Sequence, residues 1–244
     1  MVGSSGDALA AMVAKLCRLA PLSTSDREAL RALPHRLSEA GAGKYLVREG
    51  EVPTECCVLV SGYGCRHKST SNGGRQIVSF HLPGDLLDLQ HSQLPTADHN
   101  VQTITRATIA WIPFRALREL AQGSRAINDA LWRDALIDAS IFREWVLNVG
   151  RRDAKQRIAH MLCEFAARRE AAGIGVPEHF KLPMTQADIA DATGLTQVHV
   201  NRMLRALVDD GIIARQTARD IQIIDWRRMQ HVADFDATYL HQAA

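Results

Sequence analysis

The spacing of apolar residues changes along the chain, and each change predicts a different kind of element. Near the start, Leu9, Val13 and Leu16 fall on one face of a helix, and Ser25 with Glu28 makes a capping-box start for a second helix running to about Leu33. From Tyr45 to Ile112 the apolar residues instead gather in short β-rich runs: Tyr45 to Val47, Cys57 to Val60, Gln76 to Leu82, Val101 to Thr105 and Thr108 to Ile112. Gly50, Gly62, Gly73-Gly74 and Pro83-Gly84 punctuate them. Closely spaced strands with glycine turns predict a jelly-roll-like β-domain.

Helical spacing returns between Ile127 and Val149, a stretch free of proline and glycine, on two stripes. Leu131, Ala135, Phe142, Trp145 and Val149 make one; Trp132, Leu136, Ala139 and Val146 make the other. A helix that is apolar on two sides must be covered on two sides. One stripe is expected on the β-domain and the other on the same helix of a second subunit, so Trp132, Leu136, Ala139, Phe142 and Val146 are the expected homodimer contacts. Asn148, Gly150, Arg151 and Arg152 interrupt the helix, and Asp153 with Gln156 caps a new one through about Ala171. The predicted organisation is α+β: N-terminal helices and β-domain over 1–125, a dimerisation helix and hinge over 126–150, and a C-terminal domain over 151–244.

Thr185 to Val208 reads as helix, tight turn, helix. Thr185 with Asp188 caps the first helix, Gly194 ends it in the left-handed conformation, and Thr196 caps the second. Ile189, Ala190, Leu195, Val200, Met203 and Leu204 are apolar where two such helices touch. The solvent face of the second helix holds Gln197, His199, Asn201, Arg202 and Arg205, residue types that bond to base edges in a major groove. Thr185, Thr196 and the helix N-termini are placed for phosphates, and Gln186 is a further expected DNA contact. Downstream, Asp209-Asp210-Gly211 turns into Ile212 to Arg215, and Ile221 to Ile224 completes a β-hairpin wing, with Arg215 and Arg219 near the DNA backbone.

Composition narrows the picture. Hydrophobic residues at 46% and charged ones at 23% describe an ordinary folded protein. Against 27 acidic residues stand 29 basic ones, a net charge of +2, so double-stranded DNA as partner follows from the motif and not from bulk charge. No apolar run is long enough to span a membrane, and Met1 to Gly6 lacks the features of a secretory leader, so a cytoplasmic location is expected. Five cysteines (Cys17, Cys56, Cys57, Cys65, Cys163) without a C-x-x-C pair predict buried thiols and no zinc site.

With these residues in place the chain resembles the Crp/Fnr family of bacterial transcription regulators. The resemblance rests on Gly50, Leu59-Val60-Ser61-Gly62, Gly74 to Phe80 and Pro83-Gly84-Asp85-Leu86 in the β-domain, on Arg157-Ile158-Ala159, and on Leu182 to Leu207 in the helix-turn-helix. It implies a cyclic-nucleotide-binding-like roll, a dimerisation helix and a winged helix-turn-helix. It also places an effector pocket near Gly84, Asp85, Leu86, Asp98, His99 and Phe142.

The departures from that pattern bear on the signal. The Arg-Ser pair that grips a cyclic phosphate in relatives falls near Ala97 and Asp98, with no arginine between Arg75 and Arg106. Adenine-contacting hydroxyls fall at Phe142 and Arg143, so cyclic AMP is not the expected effector and no cofactor is predicted. Only Cys17 precedes Cys56, against an iron–sulfur cluster of the oxygen-sensing type. Val198 stands where many relatives carry glutamate, whereas Arg202 matches their base-reading arginine. The alternative is a metal- or thiol-redox-responsive sensor or a β-barrel metalloenzyme, since His81, Asp85, Asp88, His91, Asp98 and His99 crowd one region beside Cys56, Cys57 and Cys65. Operator, effector, contact with RNA polymerase and the choice between activation and repression are left open.

Overall fold

The computed structural model describes residues 8–242; Met1 to Gly6, the stretch that lacks the features of a secretory leader, lies outside the described residues. Helix α1 (Ala10–Leu19) follows Leu9, and Leu9, Met12, Val13 and Leu16 are fully buried at helical spacing. Helix α2 (Thr24–Arg31) starts earlier than the Ser25–Glu28 expectation. Its capping box is Ser23–Asp26: the Ser23 hydroxyl accepts the Asp26 N–H at 3.1 Å, and the Asp26 carboxylate accepts the Ser23 N–H at 3.0 Å. The N-cap needs extended backbone, which Ser23 has (φ −66°, ψ 168°), while Ser25 already lies inside the helix.

Seven strands follow: β1 (Arg36–Ala40), β2 (Tyr45–Val47), β3 (Glu55–Ser61), β4 (Gly64–Ser69), β5 (Arg75–His81), β6 (Asn100–Thr103) and β7 (Ala107–Pro113). They form two sheets, ordered β1-β7-β3 and β2-β6-β4-β5. The first sheet is covered on both sides, so β3, at one end of its strand order, reads as a continuous apolar run instead of an alternation. On β3, Cys56 and Val58 join a core with Leu9, Met12, Leu16, Ile127 and Leu131, while Cys57 and Leu59 join another with Val47, Leu87, Val101 and Ile109. Gly84, at φ +95°, permits close approach of α1: a Cβ there would stand 2.9 Å from the Ala11 carbonyl oxygen. Helices α3 (Phe114–Gly123) and α4 (Arg125–Arg151) complete this part of the chain.

Residues 8–68 and 80–139 make one compact unit, and residues 69–79 and 140–242 make another. The division falls within α4, between Ala139 and Ser140, ahead of the break near Gly150 that the sequence suggests. In the second unit α5 (Ala154–Ala171) begins at the Asp153–Gln156 capping box, and the run from Ile158 to Ala167 is buried. Around it stand β8 (His179–Lys181), α6 (Gln186–Thr193), α7 (Gln197–Asp209), β9 (Ile213–Ala214), β10 (Asp220–Ile223) and α8 (Trp226–Ala233), the strands in the order β8-β10-β9. The α4 residues of this unit are anchored by Trp145, whose indole N–H donates to the buried Glu164 carboxylate at 3.0 and 3.1 Å. Among the described residues no helix is long and apolar enough to cross a membrane.

Candidate nucleic-acid interface

The geometry of α6 and α7 is set by local chemistry. The Thr185 hydroxyl accepts the Asp188 N–H at 3.2 Å while the Asp188 carboxylate accepts the Thr185 N–H at 2.9 Å, which satisfies two of the free donors at the start of α6. Gly194 then takes φ +66°, ψ 34°, and the Leu195 N–H returns to the Ala190 carbonyl at 3.1 Å. Thr196 opens α7 by accepting the His199 N–H at 3.2 Å. Ile189, Ala190, Val200, Leu204 and Leu207 are buried behind the two helices; Leu195 and Met203 are half-buried.

Outward, α7 presents Gln197, Val198, Asn201, Arg202 and Arg205, all exposed, with Val198 80% exposed and His199 half-buried. Val198, Asn201 with Arg202, and Arg205 share a face at helical spacing. Among the described residues neither Arg202 nor Arg205 has an ion pair, so both guanidiniums are available to a polyanion. Asn201 has a partner that sequence reasoning did not foresee. It donates to Gln186 at 2.7 Å and accepts from Gln186 at 2.6 Å, a reciprocal amide pair that bridges α6 and α7 and leaves each oxygen one further lone pair.

A second contact was also hidden from the sequence. Arg75, on the 69–79 segment, bonds the Asp191 carboxylate through Nε and the Asp188 carboxylate through Nη2, both at 2.7 Å, and Gln76 donates to the Ala192 carbonyl at 3.2 Å. The pair of acids on α6 is thereby neutralised next to a surface suited to phosphate. In the wing, Arg219 is exposed, but Arg215 folds back to donate to the Ala218 carbonyl, and burial holds its pKa below the usual arginine range.

Of the residues expected to line an effector pocket, Gly84, Asp85, Leu86, Asp98 and His99 belong to the first unit and Phe142 to the second. Asp85 is buried and satisfied: its carboxylate takes Lys15 at 2.8 Å and the Leu82 N–H at 3.0 Å, with His81 Nδ1 at 3.5 Å. Lys15 also reaches Asp134 at 2.7 Å; burial alone would lower its pKa, yet the two carboxylates hold it above the ordinary value. Gly84 and Leu86 are packed into the fold, and Phe142 is half-buried in the other unit. Asp98, near the position of the phosphate-gripping pair of relatives, has an outward side chain, 80% exposed and 2.6 Å from His99 Nδ1, while Ala97 is buried. Arg66 on β4, whose charge acts on His99, is buried and bonded to Asp138 at 2.6 Å and to the Leu87 carbonyl at 2.6 Å.

The groups that suggested metal or redox chemistry have other surroundings. His91 and His99 stack at 5.3 Å, and burial followed by the charge of Arg66 brings His99 down to about 4. Asp88 accepts the Cys57 N–H at 2.8 Å and is pushed up to about 6 by burial. Among the described residues no three His, Cys, Asp or Glu side chains converge on a common point for a metal. Cys56, Cys57, Cys65 and Cys163 are buried; burial, helped by Asp88, pushes the Cys56 and Cys57 thiols far from the reactive thiolate form. On α4, Trp132 (64%), Leu136 (49%) and Val146 (74%) are exposed, Ala139 and Phe142 are half-buried, and Leu131 and Trp145 are buried.

Comparison with known proteins agrees with this architecture along most of the chain. Residues 38–124 match the cyclic nucleotide-binding domain family and residues 156–232 the Crp-like helix-turn-helix domain family. The transcriptional activator protein FnrL of Cereibacter sphaeroides is 29% identical over 202 residues, 80% of this chain and 79% of its own. The nitrogen fixation regulation protein FixK of Rhizobium meliloti is 28% identical over 193 residues, covering 78% of this chain and 84% of its own. Among solved structures, FixK2 from Bradyrhizobium japonicum superposes with a TM-score of 0.77 at 26% identity, covering 84% of this chain and all of that one (100%). A CRP-family transcriptional regulator from Thermus thermophilus shares the fold, with a TM-score of 0.64 at 17% identity over 81% of this chain and 97% of its own. A roll, a long helix and a capped helix-turn-helix in this order, matched by both domain families and by these relatives, make the chain a member of the Crp/Fnr family of DNA-binding transcription regulators.

Proposed function

We propose that the protein acts as a homodimer on a two-fold-symmetric DNA site, with α7 of each subunit in successive major grooves, and that cyclic AMP does not control it. The observation that carries the proposal is the outward face of α7: exposed Gln197, Arg202 and Arg205 on a helix bridged to α6 by the Gln186–Asn201 pair. Arg202 and Arg205 suit guanine edges, Gln197 suits adenine, and Val198 suits a thymine methyl. Thr185, Thr196 and the N-termini of α6 and α7 suit phosphates, with His199 beside them.

Dimerisation is supported by the exposed apolar stripe of Trp132, Leu136 and Val146 on α4, which leaves a lone subunit with uncovered hydrophobic surface. Independence from cyclic AMP is supported by the commitment of Arg66 to Asp138 and of Asp85 to Lys15, and by the outward position of Asp98. FnrL and the Pseudomonas aeruginosa protein anr are named transcriptional activators; carried to this chain, activation implies contact with RNA polymerase.

The test is selection of genomic DNA fragments by the purified, reduced protein at two salt concentrations, with and without cyclic AMP. The expected result is the same palindrome with and without the nucleotide. Recovery only with cyclic AMP overturns the effector proposal, and salt-sensitive binding without sequence preference overturns the ligand-independent form of it.

A further inference from the structure

Helix α4 carries a seven-residue repeat. Trp132, Leu136, Ala139, Arg143, Val146 and Gly150 follow one another at alternating steps of four and three, the spacing of core positions in a two-stranded coiled coil. Arg143 interrupts an otherwise apolar or small seam. It is exposed, and among the described residues it has no ion pair or hydrogen bond. The repeat positions that would flank it in a coiled coil are Ser140, Phe142, Leu147 and Val149, none of them acidic. Nearby carboxylates on the same helix are committed elsewhere: Asp138 to Arg66 at 2.6 Å, and Glu144 to Arg152 at 2.7 Å with His160 Nε2 at 3.2 Å.

We infer that in the dimer the two Arg143 guanidiniums form a binding site for a small phosphate-type oxyanion, and that its occupancy tightens the dimer. The inference rests on the dimer proposed above. In parallel helices paired about a two-fold axis each core position meets its own copy, so Arg143 meets Arg143 of the partner subunit. Two like charges without a counter-ion disfavour association, and the apolar neighbours Phe142, Leu147 and Val149 reduce the solvent screening between them. A guanidinium presents a planar fork that takes two oxygens of a phosphate at once. A multiply charged oxyanion therefore neutralises both arginines, where chloride neutralises one.

The test is sedimentation equilibrium of the full chain at constant ionic strength, in chloride alone and with millimolar inorganic pyrophosphate, for the wild type, Arg143→Leu and Val146→Asp. Pyrophosphate is expected to lower the wild-type dimer dissociation constant about tenfold. Arg143→Leu is expected to match that tighter value without anion and to ignore pyrophosphate. A wild type indifferent to pyrophosphate, or an Arg143→Leu protein that still responds to it, overturns the anion site and leaves the dimer helix intact. Val146→Asp places a charge in the seam and is expected to weaken the dimer more than the loss of the anion does. If Val146→Asp associates like the wild type, the seam is not the interface, and the dimer contact and the anion site fall together.

Discussion

Arg202 is exposed on α7 with no ion pair among the described residues, one turn beyond the thymine-compatible Val198, while its neighbour Asn201 is held by Gln186. On the proposed function Asn201 would meet DNA with its amide already paired to Gln186, whereas Arg202 would bring an uncommitted guanidinium. Arg202→Ala is expected to cost about 1–3 kcal/mol at one base position in each half-site. Competition binding against a set of single-base operator variants checks this, and a loss of equal size on every variant would make Arg202 a phosphate contact instead. The exposed polar face of α7 was legible because helical periodicity is local. The surroundings of Asp85 were not: its partner Lys15 lies 70 residues away on helix α1, and nothing in the Gly84-Asp85-Leu86 turn signals it. The pairing of Arg75 with Asp188, 113 residues on, was illegible for the same reason.

Elements were readable where their own side chains carry the pattern. The capping boxes at Asp153 and Thr185 appear in the structure as the sequence predicts, because a cap is a bond between residues three apart. Strand β1 (RLSEA) escaped notice since its residues are mostly exposed at a sheet edge, and β4 (GCRHKS) since its buried Arg66 and His67 are polar, the former compensated by an ion pair that no hydrophobic pattern can show. The three-residue β8 buries Phe180 alone. The turn between α6 and α7 makes a sharper statement. Gly194 lies at φ +66°, and an added Cβ would meet Val149 at 3.5 Å and Arg157 at 3.7 Å, ordinary contacts, so only the backbone opposes a side chain there. Gly194→Ala is expected to destabilise by about 1 kcal/mol through the left-handed backbone, and Gly194→Asn by less. Guanidinium chloride midpoints of the three proteins check the order, and equal midpoints would show that the turn relaxes out of the left-handed conformation in solution.

At the scale of the whole molecule, recognition of DNA by a two-fold dimer is a statement about distance. In the proposed dimer each α7 would read one half-site, and both could dock only when the half-sites lie on the same face of the duplex, about 10 base pairs or one helical turn apart. On that proposal the contact between subunits sets operator spacing, as the face of α7 that holds Arg202 sets operator sequence. Inserting five base pairs at the centre of a selected palindrome turns one half-site by about half a turn, so a dimer joined through Trp132, Leu136 and Val146 must either release one half-site or distort the DNA. Binding is expected to fall to the level of an isolated half-site, measured by electrophoretic shift or fluorescence anisotropy against the unaltered palindrome. Replacing Val146 by Asp on the unaltered palindrome should reproduce that loss, since each subunit then binds without the effective concentration its partner provides. If the five-base-pair insertion left affinity unchanged, the two α7 helices would be independent of one another, and α4 would not be what couples them.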